Sequence, residues 1–215
     1  MVNISLLTVT LLASVSPSLV SSTTASVSCN SAIKVTHTES SYHVCSGEIN
    51  WGSGSGQQSI TASPMHGENA CIWVVKGPHG DGAQCEFGTP VKCDAVVRLM
   101  HLDTGKNLHS HGFRSPLSGQ QEVSGFGVQG FGDVSDNWKV ECYPNTSTGF
   151  WEKDSPVRLK HVETGRYLGA TSSTKFTQQN CPNCPIVGQL EVAAFAKSGD
   201  TTKFVAQRGV FIKMD

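Results

Sequence analysis

The residues of this chain whose types and spacing could do chemistry are few. Cys181-Pro182-Asn183-Cys184 has the spacing of a redox pair, in which one thiol's pKa is lowered. Redox pairs of this kind open a helix within a βαβ unit, whereas this one falls in a loop insertion, Lys175 to Pro185, so a local structural disulfide is expected. His109 and His111 stand two apart on an expected strand, which would put both rings on one face in the manner of a metal-ligand pair. No Asp or Glu lies within the same few residues, and both are expected to face solvent or pack against a loop. His37, His101 and His161 recur 64 and then 60 positions apart. Each follows two alternating apolar residues and so should point inward, where a hydrogen bond to backbone is a cheaper role than a three-ring metal site. The Ser/Gly run Gly52 to Gly56 lacks the buried strand before it and the helix after it that a hydrolase elbow needs, and reads as a loop. No catalytic, cofactor-binding or metal-binding residue is expected.

The elements that hold these residues repeat three times. The first copy carries Ile33, Val35, His37, Val44, Gly56, Gln57, Ile60 and Trp73. The second carries Val97, Leu99, His101, Leu108, Gly119, Gln120, Val123 and Trp138, and the third Val157, Leu159, His161, Leu168, Gly188, Gln189, Val192 and Phe204. In the second copy Val97 to His101 alternates as a strand, Asp103-Thr104-Gly105-Lys106 is a turn, and Leu108 begins the return strand. Gln121 to Phe126 and Asn137 to Val140 supply two more strands. The first copy has Glu39-Ser40-Ser41 at the turn, a less suitable sequence. A four-stranded unit cannot bury its apolar face alone. Three such units closing on one core make an all-β, twelve-stranded β-trefoil without exposed edges.

The chain has 215 residues, with 16 basic and 17 acidic side chains, which gives no electrostatic footprint for nucleic acid or an anionic membrane. Its first 25 residues carry no charge and contain the apolar run Ile4 to Leu12, as in a secretory signal peptide. Residues 26–215 are then read as one domain with repeats at about 29–85, 93–142 and 154–212, and no later segment is apolar enough to span a bilayer. Eight cysteines fit an oxidising compartment. Cys29 and Cys93 each lie eight residues before a repeat histidine, and Cys85 and Cys142 each follow a closing Trp. Equivalent places suggest equivalent bonds, Cys29–Cys85 and Cys93–Cys142, although sequence alone leaves other connectivities open. Cys45–Cys71 and Cys181–Cys184 are the pairings left by proximity and spacing. Asn145-Thr146-Ser147 is an N-glycosylation acceptor.

Three longer strings are more specific: Trp51-Gly-Ser-Gly-Ser-Gly-Gln-Gln58, Cys85-Glu-Phe-Gly-Thr-Pro-Val-Lys-Cys93, and Leu108-His-Ser-His111 continuing through Ser115-Pro-Leu-Ser-Gly-Gln-Gln-Glu-Val123. On these the chain resembles the MIR-domain proteins, more narrowly the stromal cell-derived factor 2 family, from about Cys29 to Ile212. The resemblance implies an endoplasmic reticulum lumenal β-trefoil without catalytic activity, a co-chaperone adaptor in protein quality control and the unfolded-protein response. It implies the chaperone BiP and a J-domain co-chaperone as partners. The chain ends Phe211 to Asp215 without a KDEL-type retrieval signal, so retention by a partner and secretion are both compatible with it. The competing reading is a secreted carbohydrate-binding trefoil, with glycans as partners. Against it, Gln57, Gln120 and Gln189 stand 15 to 18 residues from the closing aromatics, not in a Gln-x-Trp signature.

Overall fold

Apolar residues alternating with polar ones build the strands. A computed structural model describes residues 25–64, 69–80, 85–143 and 148–212. Residues 1–24 of the expected signal peptide and the acceptor Asn145 lie outside the described residues. The first repeat folds as β1 (Ala32–His37), β2 (His43–Asn50), β3 (Gln58–Ser63) and β4 (Trp73–Lys76). The second folds as β5 (Val96–His101), β6 (Asn107–Arg114), β7 (Gln121–Phe126) and β8 (Trp138–Cys142). The third folds as β9 (Pro156–His161), β10 (Tyr167–Lys175), β11 (Leu190–Phe195) and β12 (Phe204–Val210). The helical content among the described residues is two three-residue 3-10 turns, Val134–Asp136 and Asp200–Thr202, each leading into the last strand of its repeat.

The pairings close a ring. β1 pairs with β4 and β12, β5 with β4 and β8, and β9 with β8 and β12, all antiparallel. These six strands form a barrel with no free edge. The other six form the hairpins β2–β3, β6–β7 and β10–β11, and β3, β7 and β11 pair with one another to cap one end. The result is the β-trefoil. Its core takes one contribution per repeat: Ile33, Val35 and Trp73; Val97, Leu99 and Trp138; Val157, Leu159 and Phe204 are all buried. Burying each closing aromatic contributes on the order of 2–3 kcal/mol.

The turns obey the same threefold rule. Four residues after each repeat histidine the chain enters the left-handed region, at Ser41 (φ 59°), Gly105 (65°) and Gly165 (69°), and each of these N–H groups donates to the histidine carbonyl at 2.9 Å. Glycine meets that demand without strain, so the first repeat makes the same turn with a less suited residue. Asn30, Asp94 and Asp154 are likewise equivalent, with φ of 65°, 67° and 62°. Cysteines precede the first two of these, and Cys29 is joined to Cys85 and Cys93 to Cys142. The remaining disulfides are Cys45–Cys71 and Cys181–Cys184.

Candidate functional site

The three repeat histidines are fully buried, and the structure gives them one job. Each Nε2 donates to a backbone carbonyl, His37 to Thr201 at 3.1 Å, His101 to Ala70 at 3.0 Å and His161 to Ser135 at 2.9 Å. Each Nδ1 accepts from a turn hydroxyl, of Ser40, Thr104 and Thr164, at 2.9, 2.9 and 2.8 Å. A carbonyl can only accept, so Nε2 carries a proton. Each ring also packs on a closing aromatic, Phe204, Trp73 or Trp138, with centroids 5.0–5.2 Å apart. Burial pushes all three pKa values below the usual histidine value, more than the backbone carbonyls pull them up. With both nitrogens occupied, these side chains pin the barrel strands to the loops.

One step further along the chain the symmetry breaks. The residues that follow the accepting carbonyls are Cys71, Asp136 and Thr202; Cys71 bonds Cys45 and Asp136 contacts His109, and Cys45, His109 and Gly169 hold equivalent registers opposite Thr61, Ser124 and Ala193. The first repeat closes this joint with the Cys45–Cys71 disulfide. The third closes it by proximity: a Cβ on Gly169 would fall 2.6 Å from the Phe195 ring and 2.9 Å from the Thr201 carbonyl. The second closes it with a histidine and two carboxylates. His109 Nδ1 lies 2.8 Å from Asp136 Oδ1 and 3.7 Å from Asp133 Oδ1, and the three ligand atoms lie within 4.8 Å of one another. Asp136 is wholly buried, and its Oδ2 accepts from Asn107 Nδ2 at 2.9 Å and from the Asp133 backbone N–H at 3.1 Å. His79 Nε2 stands 3.2 Å from the same oxygen and 3.1 Å from Arg98 Nη1. Gly132 is obligatory there, since a Cβ would fall 2.0 Å from Asp136 Oδ2.

The packing of His109 against a turn fits the expectation, but the absence of a carboxylate partner does not. His109 is buried at 3 % exposure, and its acidic partners arrive from a 3-10 turn 24 and 27 residues downstream, not from the same few residues. The overlooked signal was Asp133-x-x-Asp136 just ahead of Trp138, a capping pattern that brings two carboxylates to one turn. His111 packs edge-on against His109 at 4.9 Å, lies 3.4 Å from Glu122 Oε1, and carries the half-exposed Phe113 on its other side.

The loops are tied across repeats by buried carboxylates. Glu122 accepts from the Ser55 backbone N–H at 3.3 Å and from the Ser55 hydroxyl, which holds the Ser/Gly run of the first repeat. At the same place in the third repeat, Glu191 accepts from the Leu117 and Ser118 backbone N–H groups at 2.6 and 3.0 Å. The first repeat has Ser59 there and no carboxylate. The insertion that would need such a clamp instead carries the Cys181–Cys184 disulfide and packs Phe176 and Ile186 on Trp51 in a second, smaller core. Trp51 is thus a buried packing residue, with Nε1 donating to the Val123 carbonyl at 3.0 Å. Beside Cys29–Cys85, an open and mostly apolar groove of about 590 Å³ runs past Pro78, Pro90, Val91, Val96 and Val162.

Residues 27–143 match the MIR domain family. Human stromal cell-derived factor 2 is 39% identical over 187 residues, covering 87% of this chain and 82% of that protein. The crystal structure of the SDF2-like protein from Arabidopsis thaliana superposes with a TM-score of 0.79 at 34% identity, covering 88% of this chain and 99% of that one. The protein O-mannosyltransferase Pmt1–Pmt2 complex of Saccharomyces cerevisiae matches with a TM-score of 0.72 at 28% identity, over 87% of this chain and 26% of the yeast chain.

Proposed function

Because this chain belongs to the stromal cell-derived factor 2 family of MIR-domain proteins, we propose that it is a non-enzymatic adaptor of protein quality control in the endoplasmic reticulum lumen, binding the chaperone BiP together with a J-domain co-chaperone. The observation that carries this reading is the extent of the match. The chain covers most of its stromal cell-derived factor 2 relatives, and the part of the mannosyltransferase chain it matches is about a quarter of that chain. Two further observations support it. The titratable groups gathered in its interior are engaged in holding strands and loops together, and no helix among the described residues is long and apolar enough to cross a membrane.

Affinity purification from cross-linked cells under non-reducing conditions tests the proposal. Recovery of the chaperone pair is the expected result, and protection of an unfolded client from aggregation should saturate at about one equivalent of the chaperone complex, as a binding equilibrium requires. Recovery of glycoproteins released by free sugar, without chaperones, would replace this reading with the carbohydrate-binding one.

A further inference from the structure

We propose that His109, Asp133 and Asp136 form a binding site for a divalent transition cation of the zinc class. The first argument is geometric. His109 Nδ1 stands 2.8 Å from Asp136 Oδ1 and 3.7 Å from Asp133 Oδ1. Zinc at about 2.0–2.2 Å from nitrogen and oxygen ligands sets tetrahedral ligand atoms roughly 3.3 Å apart, a value between the two histidine–carboxylate distances, and all three ligand atoms lie within 4.8 Å of one another. The second is charge. Two carboxylates converge on one imidazole, one of them wholly buried, with Asp136 Oδ2 already held by Asn107, the Asp133 N–H and His79 and Oδ1 left facing His109. A dication balances the pair, and Asp133, half exposed, leaves a side open for its entry and for a water ligand.

The third argument comes from the surroundings. Asn107 Nδ2 and the Asp133 backbone N–H both donate to Asp136 Oδ2, and His79 stands at the same oxygen. The rotation of Asp136 is thereby fixed, with Oδ1 turned toward His109, as supporting hydrogen bonds do for metal ligands. Gly132 keeps the carboxylate's place free of a Cβ. The fourth is the fold's own symmetry. At the equivalent joint of the first repeat the chain is cross-linked by Cys45–Cys71. A cation held by β6 and the 3-10 turn cross-links the same two elements in the second repeat. A nitrogen ligand favours zinc over calcium, which prefers an all-oxygen shell.

The experiment is calorimetric titration of the chelator-treated full chain with zinc and, separately, with calcium. Wild type should show one saturable zinc site and none for calcium. Asp133→Asn keeps a side chain able to cap the 3-10 turn while removing the ligand charge, so it should fold normally and bind zinc at least about tenfold more weakly. His109→Gln, if its circular dichroism matches wild type, should lose the site altogether. Absence of saturable zinc binding, equal binding of calcium, or an unchanged zinc affinity in Asp133→Asn would overturn the assignment, and the last of these decides the matter even if His109→Gln does not fold.

Discussion

Replacing Cys45 and Cys71 together by Ala should destabilise the protein by an amount that loop length predicts. The bond closes 26 residues, for which the chain-entropy estimate is about 3.5 kcal/mol at 25 °C. Both side chains are buried, at 5 % and 1 % exposure, so losing their sulfur atoms adds up to about 1 kcal/mol of packing. For a domain of this size, a total near 4 kcal/mol lowers the melting temperature by about 8–16 °C. The comparator is the double replacement of Cys181 and Cys184. That bond spans 3 residues, for which the same estimate is about 1.6 kcal/mol, and the Trp51–Phe176–Ile186 cluster beside it persists without the bond. Cys29–Cys85 and Cys93–Cys142, spanning 56 and 49 residues, should each cost about 4 kcal/mol, slightly more than Cys45–Cys71 before packing is counted. Urea unfolding followed by the fluorescence of the buried Trp73 and Trp138 reads these differences in the otherwise oxidised protein. A loss under about 1.5 kcal/mol for the Cys45/Cys71 variant, or a larger loss for the Cys181/Cys184 variant, would refute the reasoning and show that packing alone holds the joint.

Three further outcomes are expected. Since His37, His101 and His161 have folded-state pKa values below the unfolded value near 6.5, the unfolded chain binds more protons than the folded one once the pH falls below about that value. Their contribution to stability is full above that pH and declines as it drops, so unfolding at pH 5.5 should need less urea than at pH 7.5; equal midpoints would count against it. Ser41→Gly relieves a left-handed residue at an exposed turn and should raise stability by about 0.5 kcal/mol, the relief of strain less the added freedom of the unfolded chain, measured by the same unfolding. Glu191→Ala strands the Leu117 and Ser118 N–H groups and should cost about 2–3 kcal/mol, with limited proteolysis opening the Ser115–Gly119 loop; an uncut loop would mean that the carboxylate is not its anchor.

The repeat residues made the fold legible because each reports a local rule. Alternation to a histidine, a turn four residues on and a closing aromatic each restrict one strand or one turn, and three copies leave few ways to close. The inward role of His37, His101 and His161 followed from the same alternation. Asp136 could not be read in this way. Its partner His109 is 27 residues away, and only the pairing of β6 with β7, with the 3-10 turn folded back over that hairpin, brings them together. Glu122 and Glu191 were hidden for the same reason. A carboxylate at the second position of an apolar strand looks solvent-facing by period, and its burial becomes evident only when the loop it holds, from another repeat, is in place.

A trefoil offers every symmetric feature three times, so a partner that binds once per chain must read a feature that occurs once. The barrel, the histidine latches and the closing aromatics are thereby set aside as recognition elements. Features that occur once among the described residues include the Cys181–Cys184 insertion, the groove beside Cys29–Cys85, and the segment between β7 and β8, where Val128 and Phe131 are 69 % and 77 % exposed a few residues ahead of the Asp133–Asp136 turn. The last carries an exposed apolar tip next to the turn that places Asp136 against His109. The tip is held by its own turn, with the Val128 and Phe131 backbone N–H groups each donating to the other's carbonyl at 2.9 Å.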